Sequence, residues 1–86
     1  MAYSVGVQRR AQKQIARLSA TTQDRIENVL QALADDPRPR NSCKLRGRES
    51  LRLRVGDYRV IYEVDDDRQM VTVFQVGHRR DVYRRG

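Results

Sequence analysis

Apolar and polar residues alternate through the segment from Leu51 to Tyr62, and this pattern predicts a β-hairpin. Gly56 and Asp57 at its centre suit a two-residue type II′ turn, whose twist matches that of paired strands. The turn fixes the expected cross-strand pairs as Val55 with Tyr58, Arg54 with Arg59, Leu53 with Val60 and Arg52 with Ile61. Because side chains alternate between the two faces of a strand, one face of the hairpin is predicted to be wholly apolar. Its members are Leu51, Leu53, Val55, Tyr58, Val60 and Tyr62.

The other face of the predicted hairpin carries Arg52, Arg54 and Arg59. Like charges that stand directly opposite each other in an antiparallel pair destabilise it. A sheet that keeps this repulsion is expected to bind an anion on the same face. The structural alternative is that Arg54 and Arg59 form ion pairs with Glu49 or Glu63.

Helical spacing of apolar residues predicts two helices before the hairpin. The first covers residues 8–18, with apolar positions Ala11, Ile15 and Leu18. The second has the apolar positions Ile26, Val29, Leu30 and Leu33. We expect Thr21 or Thr22 to cap this second helix and Pro37 to end it, because proline cannot continue helical hydrogen bonding.

Two further strands are predicted, one at each end of the chain. Tyr3–Val7 alternates as a short first strand, and Met70–Val76 is rich in the β-branched residues typical of strands. The register of the last strand stays open in the sequence. Pairing of Val64 with Met70 would place Phe74 and Val76 on the apolar face, whereas a shorter turn would exchange the two faces.

Together these elements predict an α+β fold, with an N-terminal strand and a helical hairpin packed on a small, mainly antiparallel sheet. Gly77 is expected to end the last strand, and residues 38–42 are expected to be a loop. Residues 78–86 then form a short basic C-terminal tail. A chain of 86 residues is large enough for one core, so we expect a single domain over residues 1–86.

Composition and charge restrict the classes of ligand and site that this chain can have. The net charge is +7, and it is concentrated in residues 38–59 and 78–86. Arginine accounts for most of the basic residues, and its planar donor fork binds phosphate bidentately, so phosphate is the expected ligand. Cys43 is the only cysteine, which excludes an internal disulfide and a cysteine-based metal site. Neither a membrane span nor a secretion signal is visible, and the cytoplasm is the expected location.

The two basic blocks are expected to meet in one groove that binds RNA. Arginines would hold phosphate there, Tyr83 would offer a ring for a base, and His78 could exchange protons. Such a set suits RNA cleavage by the RNA's own 2′-hydroxyl, a reaction for which no cofactor or metal is expected.

Three segments, namely residues 44–47, 51–62 and 76–83, together resemble the RelE toxins of bacterial toxin–antitoxin pairs. The resemblance covers nearly the whole chain. It implies an enzyme that enters the A site of the small (30S) ribosomal subunit, cuts messenger RNA there, and is silenced by a cognate antitoxin that is RelB-like or another small protein. It also implies that Arg59 and Arg79 stabilise the scissile phosphate and that Tyr83 stacks on or orients the nucleotide.

One departure from the family concerns the general base. Family members commonly carry lysines on the strand before the turn, where this chain has Ser50, Arg52 and Arg54. Arginine is a poor base because its guanidinium group holds its proton very tightly. The general base is therefore His78, or the site has no distinct base and lowers the barrier by electrostatic stabilisation. We include Arg52 among the residues that provide this stabilisation.

The remaining cations are expected to contact the RNA or ribosome backbone without changing the chemistry. They are Lys44, Arg46, Arg48, Arg54, Arg80 and Arg84. Two other functions stay open: inhibition of DNA gyrase, as in the related ParE toxins, and a basic nucleic-acid-binding module with weak catalysis.

Overall fold

The computed structural model describes residues 2–45 and 50–78, which form two helices and a five-stranded sheet. The elements in chain order are β1 (Ser4–Val7), α1 (Arg9–Ala16), α2 (Ala20–Asp35), β2 (Ser42–Lys44), β3 (Leu51–Val55), β4 (Tyr58–Asp65) and β5 (Met70–His78). The strand order is β1-β5-β4-β3-β2; β1 runs parallel to β5, and the other pairs are antiparallel. The predicted α+β architecture is confirmed.

Both helices pack on the same face of the sheet, and the hydrophobic core lies between them. Ala11 of α1 is fully buried there, together with Ile26 and Leu33 of α2. The sheet contributes the alternate residues Leu51, Leu53, Val55, Val60, Tyr62, Val71, Val73 and Val76. Within the described residues, no helix is long and apolar enough to cross a membrane.

The predicted hairpin is confirmed in full register, from Leu51 opposite Tyr62 to Val55 opposite Tyr58. Gly56 has a φ of +60°, and Asp57 is not among the residues with positive φ. A type II′ turn requires this combination, because its first central residue is left-handed and its second is not.

The cap of α2 was predicted wrongly. Ser19, not Thr21 or Thr22, precedes the helix, and its Oγ accepts a hydrogen bond from the Thr22 backbone nitrogen at 3.2 Å. The predicted end is correct, since α2 stops at Asp35, two residues before Pro37.

The last strand takes the shorter turn, with Asp65 opposite Met70, and then contains a β-bulge. Ile61 pairs with Gln75 but the next residue, Tyr62, pairs with Val73, so Phe74 is the extra residue. The bulge resets the alternation, and Val71, Val73 and Val76 therefore all reach the core. Contrary to prediction, Gly77 does not end the strand, which continues to His78.

Helix α1 covers the edge of β5 that β1 leaves open. The short strand β1 pairs only with residues 70–73 of β5. Beyond that point, the backbone nitrogen of Val76 donates a hydrogen bond to Gln14 Oε1 at 2.7 Å. Gln14 thus supplies the acceptor that a neighbouring strand would otherwise provide.

Two contacts fasten the loop that follows α2 to the sheet. The buried Tyr62 hydroxyl donates to the Pro37 carbonyl at 2.8 Å, and burial raises the pKa of Tyr62. The Asp66 carboxylate accepts hydrogen bonds from Arg38 at 3.0 and 3.1 Å and from the Tyr3 hydroxyl at 2.7 Å. The hydrogen bonds from Arg38 and Tyr3 hold the pKa of Asp66 below its ordinary value, and the bond from Arg38 has the larger effect. The same bond between Tyr3 and Asp66 raises the pKa of Tyr3.

Candidate functional site

Arg52, Arg54 and Arg59 lie on the side of the sheet that faces away from both helices. We call this side the arginine face. Their strand neighbours Leu53, Val55 and Val60 point into the core, so alternation along the strands turns the arginines outward. Arg54 stands directly opposite Arg59, and Arg52 is one rung further along, opposite Ile61.

The three arginines line one concavity of about 220 Å³. Asn41 and Cys43 complete its lining. They come from the segment around β2, where Cys43 pairs with Arg52, so β2 forms one wall of the site. The sequence prediction missed this wall, because a strand of three residues is too short to show a period-two pattern and residues 38–42 read as loop.

Arg59 is the most enclosed cation of the site. It is only 7% exposed, and its Nη1 lies 3.4 Å from the Tyr58 carbonyl oxygen. Gly77 is its partner on β5, so the neighbouring strand places no side chain beside it. A cation this far from bulk water is poorly screened, and its attraction for a bound anion is correspondingly strong.

Arg54 is exposed at the rim, where its Nε lies 3.4 Å from the Gly56 carbonyl oxygen. Glu63 is not its partner, since Glu63 accepts a hydrogen bond from Ser50 Oγ at 3.1 Å. Within residues 2–45 and 50–78, no acidic side chain forms an ion pair with Arg54. Glu49, the other candidate partner, lies outside the described residues.

His78 lies on the opposite side of the sheet from the arginine face. It pairs with Tyr58, and the two rings make an edge-to-face contact with their centroids 5.7 Å apart. Val60 and Val76 pair with each other two residues further along the strands and point into the core, so Tyr58 and His78 lie on that same side of the sheet. The expectation that the His78 side chain shares a groove with the arginines is therefore not met in this structure.

Lys44 is also separated from the arginines. It pairs with Leu51, a core residue, and it borders a small pocket together with Arg38, Leu51 and Val64 on the helix side of the sheet. The other predicted site residues lie outside the described part of the chain. They are Arg46, Arg48, Arg79, Arg80, Tyr83 and Arg84.

A phosphodiester group fits this arrangement chemically. Three guanidinium groups on neighbouring rungs offer several N–H donors and positive charge to one anion. Because the donors are fixed by the sheet, they need little reorganisation when negative charge grows on the ligand. The arginine face can therefore bind a phosphate and stabilise additional charge that develops on it.

Comparison with known proteins finds relatives that match nearly the whole chain. Residues 5–83 match the family model described as the ParE toxin of type II toxin–antitoxin systems. Over 82 residues, the chain is 33% identical to the mRNA interferase toxin RelE of Escherichia coli K12. This similarity covers 92% of the present chain and 85% of that protein.

Solved structures show the same fold. A chain of the archaeal RelE–RelB complex from Pyrococcus horikoshii is similar with a TM-score of 0.83 and 28% identity, covering 92% of this chain and 97% of that one. A chain of the intact E. coli RelBE toxin–antitoxin complex is similar with a TM-score of 0.78 and 30% identity, covering 90% and 96%.

Proposed function

The chain belongs to the RelE/ParE family of toxins of type II toxin–antitoxin systems, and we propose that it is an endoribonuclease that cleaves messenger RNA on the ribosome. The E. coli relative with which it shares 33% identity is named an mRNA interferase, which supports RNA as the substrate. The observation that carries the proposal is the arginine face, where Arg52, Arg54 and the buried Arg59 line one concavity.

The proposed reaction uses the RNA's own 2′-hydroxyl. Its oxygen attacks the adjacent phosphorus while its proton passes to a water molecule, the bond from phosphorus to the 5′-oxygen breaks, and that oxygen takes up a proton from water. The products are a 2′,3′-cyclic phosphate and a 5′-hydroxyl end. Negative charge on the phosphoryl oxygens is greatest in the transition state, so Arg59 acts mainly on the rate. By family resemblance, Arg79 shares this role, and Tyr83 orients the nucleotide.

Water takes the proton in the proposed reaction, because within the described residues no histidine or lysine lies on the arginine face. Arginine remains protonated throughout the working pH range, and the His78 ring contacts Tyr58 on the other side of the sheet. Charge stabilisation by Arg52, Arg54 and Arg59 therefore lowers the barrier without a dedicated base. Replacement of His78 by Gln is expected to preserve the cleavage rate and its pH profile; a lost or shifted limb of that profile would restore His78 to proton transfer.

A direct test compares Arg59→Met with Arg68→Met on purified ribosomes that carry a messenger. Methionine keeps the unbranched apolar stem of the side chain but removes the guanidinium group and its charge. Arg68 is an exposed residue of the β4–β5 turn that does not line the concavity, and it serves as the matched control. We expect Arg59→Met to lower the cleavage rate by about 100-fold or more, which is the scale of a lost transition-state donor, with ribosome binding little changed.

Mapping of messenger 5′ ends after induction in growing bacteria supplies the second readout. Cuts within translated codons that disappear when translation is blocked are expected. Intact messengers, or equal cutting by wild-type protein and Arg59→Met, would overturn the proposal.

The partner and location follow from the same proposal. Chains similar to this one come from RelE–RelB complexes, which supports a RelB-like or other small antitoxin as its partner. Ribosomes translate in the cytoplasm, so we propose that the protein acts there.

Inhibition of DNA gyrase is the second candidate function, because the matching family model is named for ParE. Gyrase supercoiling assays with the purified protein distinguish the two. Inhibited supercoiling together with intact messengers would favour the second function.

A further inference from the structure

Helix α1 carries a second concentration of positive charge, outside the arginine face. Its cations are Arg9, Arg10 and Lys13, with Arg17 at the C-cap, and all four are exposed. At 100° per residue, they fall within one arc of about 100° around the helix. The stripe is roughly 12 Å long, since eight residues rise 1.5 Å each. We call it the α1 cationic stripe.

The stripe points directly away from the core. Ala11 is fully buried, and Ile15 and Leu18 pack against the core on the other side of the helix. The centre of the cationic arc is about 160° from the centre of these apolar positions, as their spacing along the helix requires. All four cations are therefore presented to solvent or to a partner.

Three charges of the stripe repel one another, and two of its cations lie at the end of the helix that disfavours them. Arg9, Lys13 and Arg17 follow one another at intervals of four residues, where like charges repel. Arg9 and Arg10 occupy the first turn, where the helix dipole disfavours cations, and α1 has no acidic residue in that turn. Within the described residues, none of the four forms an ion pair with an acidic side chain. By contrast, α2 mixes Asp24, Arg25 and Glu27 on its solvent side.

The stripe and the arginine face lie on opposite sides of the molecule. Helix α1 packs on the core face of β5, whereas the arginine face is the reverse side of the same sheet. One short RNA strand held in the concavity cannot also lie along the stripe. A partner that contacts both the stripe and the arginine face must present phosphate groups on two sides of the protein. A folded RNA assembly can do so.

We propose that the α1 cationic stripe docks the protein on the phosphate backbone of folded ribosomal RNA, away from the messenger. Arginine provides three of the four cations, and its donor fork matches phosphate oxygens better than a diffuse charge would. The stripe makes no contact with the cleaved bond, so it contributes to ribosome affinity and not to the chemical step. This inference rests on the proposed function in one respect, which is that the folded RNA is identified as ribosomal RNA.

The test uses two variants that remove the same net charge. Arg9→Gln/Lys13→Gln/Arg17→Gln neutralises one row of the stripe, and glutamine keeps a helix propensity close to that of lysine and arginine. The control, Arg25→Gln/Arg40→Gln/Arg68→Gln, neutralises three exposed cations scattered over α2, the following loop and the β4–β5 turn. Binding to purified ribosomes is measured by cosedimentation at several salt concentrations, and cleavage is measured at several ribosome concentrations.

We expect the stripe variant to bind ribosomes about 10- to 100-fold more weakly at 0.1 M salt and to lower the salt-dependence slope by roughly 2 to 3, as three lost phosphate contacts would do. KM for programmed ribosomes should rise by the same factor, with kcat unchanged. The control should change affinity by less than about threefold, because it removes charge without removing the stripe.

Arg9→Glu separates docking from folding. Its carboxylate would lie in the first turn of α1, where the helix dipole favours an acid, and four residues before Lys13, which is the favoured order of opposite charges, so the variant should unfold at higher urea concentration than wild type. The same variant should bind ribosomes more weakly. A folding defect cannot produce this pair of opposite effects.

Equal ribosome affinity of the stripe variant and its control would overturn the inference. So would selective loss of affinity for the antitoxin, which would make the stripe a protein-binding surface, and so would a wild-type protein that fails to cosediment with ribosomes. The proposed function fails separately: a protein that cosediments through the stripe but cuts no messenger would keep the docking surface and lose the nuclease.

Discussion

Replacement of Gln14 by Met tests the contact between α1 and the uncovered edge of β5. Methionine has nearly the same length and helix propensity as glutamine but offers no comparable acceptor. The backbone nitrogen of Val76, which now donates to Gln14 Oε1 at 2.7 Å, would lose its partner in a residue that is 2% exposed. An unsatisfied buried donor costs about 1–3 kcal/mol. For a domain of this size, each kcal/mol lowers Tm by roughly 4–8 °C.

Urea unfolding followed by circular dichroism measures the loss, and hydrogen exchange locates it. The Val76 amide should exchange faster in Gln14→Met than in wild type, because its protecting bond is gone. Gln14→Glu retains an acceptor and should restore most of the stability. Gln31→Met, at an exposed position of α2, is the matched control. The reasoning fails if Gln14→Met unfolds within about 0.5 kcal/mol of this control, the range of ordinary surface substitutions.

Three further predictions concern the turn and the loop contacts. Tyr62→Phe should lower the free energy of unfolding by about 1 kcal/mol, since the Pro37 carbonyl loses its buried donor; an unchanged urea midpoint would contradict this. Gly56→Ala should cost about 1–2 kcal/mol because φ is +60° there, and Gly56→Asn less, as urea unfolding of both would show. Because the pKa of Asp66 is lowered in the fold, its carboxylate contributes its full share to the free energy of unfolding at pH values above the ordinary pKa of 3.8. This stabilisation disappears as the pH falls through the lowered pKa of the folded state. Wild type should therefore exceed Asp66→Asn in stability at neutral pH, and the difference should close in acid; a gap that persists at low pH would contradict the assignment.

The parts of the fold that local chemistry determines could be predicted from sequence. The hairpin register followed from Gly56 and Asp57, because a two-residue turn leaves only one pairing. Its faces then followed from alternation, which by itself places Arg52, Arg54 and Arg59 on one face of the hairpin. The end of α2 followed from Pro37 for an equally local reason.

The parts that depend on distant residues could not be predicted in the same way. Strand β2 has three residues and no period of its own, yet it supplies Cys43 to the concavity by pairing with β3. The cap of α2 was ambiguous because Ser19, Thr21 and Thr22 all carry a hydroxyl that suits a cap. The parallel pairing of β1 with β5 joins residues more than 60 positions apart, and neither segment signals it.

The bulge at Phe74 determines which residues of β5 accompany the arginines. In an unbulged strand that kept the pairing of Tyr62 with Val73, alternation would turn Phe74, Val76 and His78 toward the arginine face. The extra residue instead places Gly77 beside Arg59 and directs Val76 into the core. The core thereby gains an apolar side chain, and β5 places a residue without a side chain next to the most buried cation of the arginine face. The same residue that completes the packing thus turns His78 away from the arginines, so that among the described residues Arg52, Arg54 and Arg59 line the concavity with no histidine beside them.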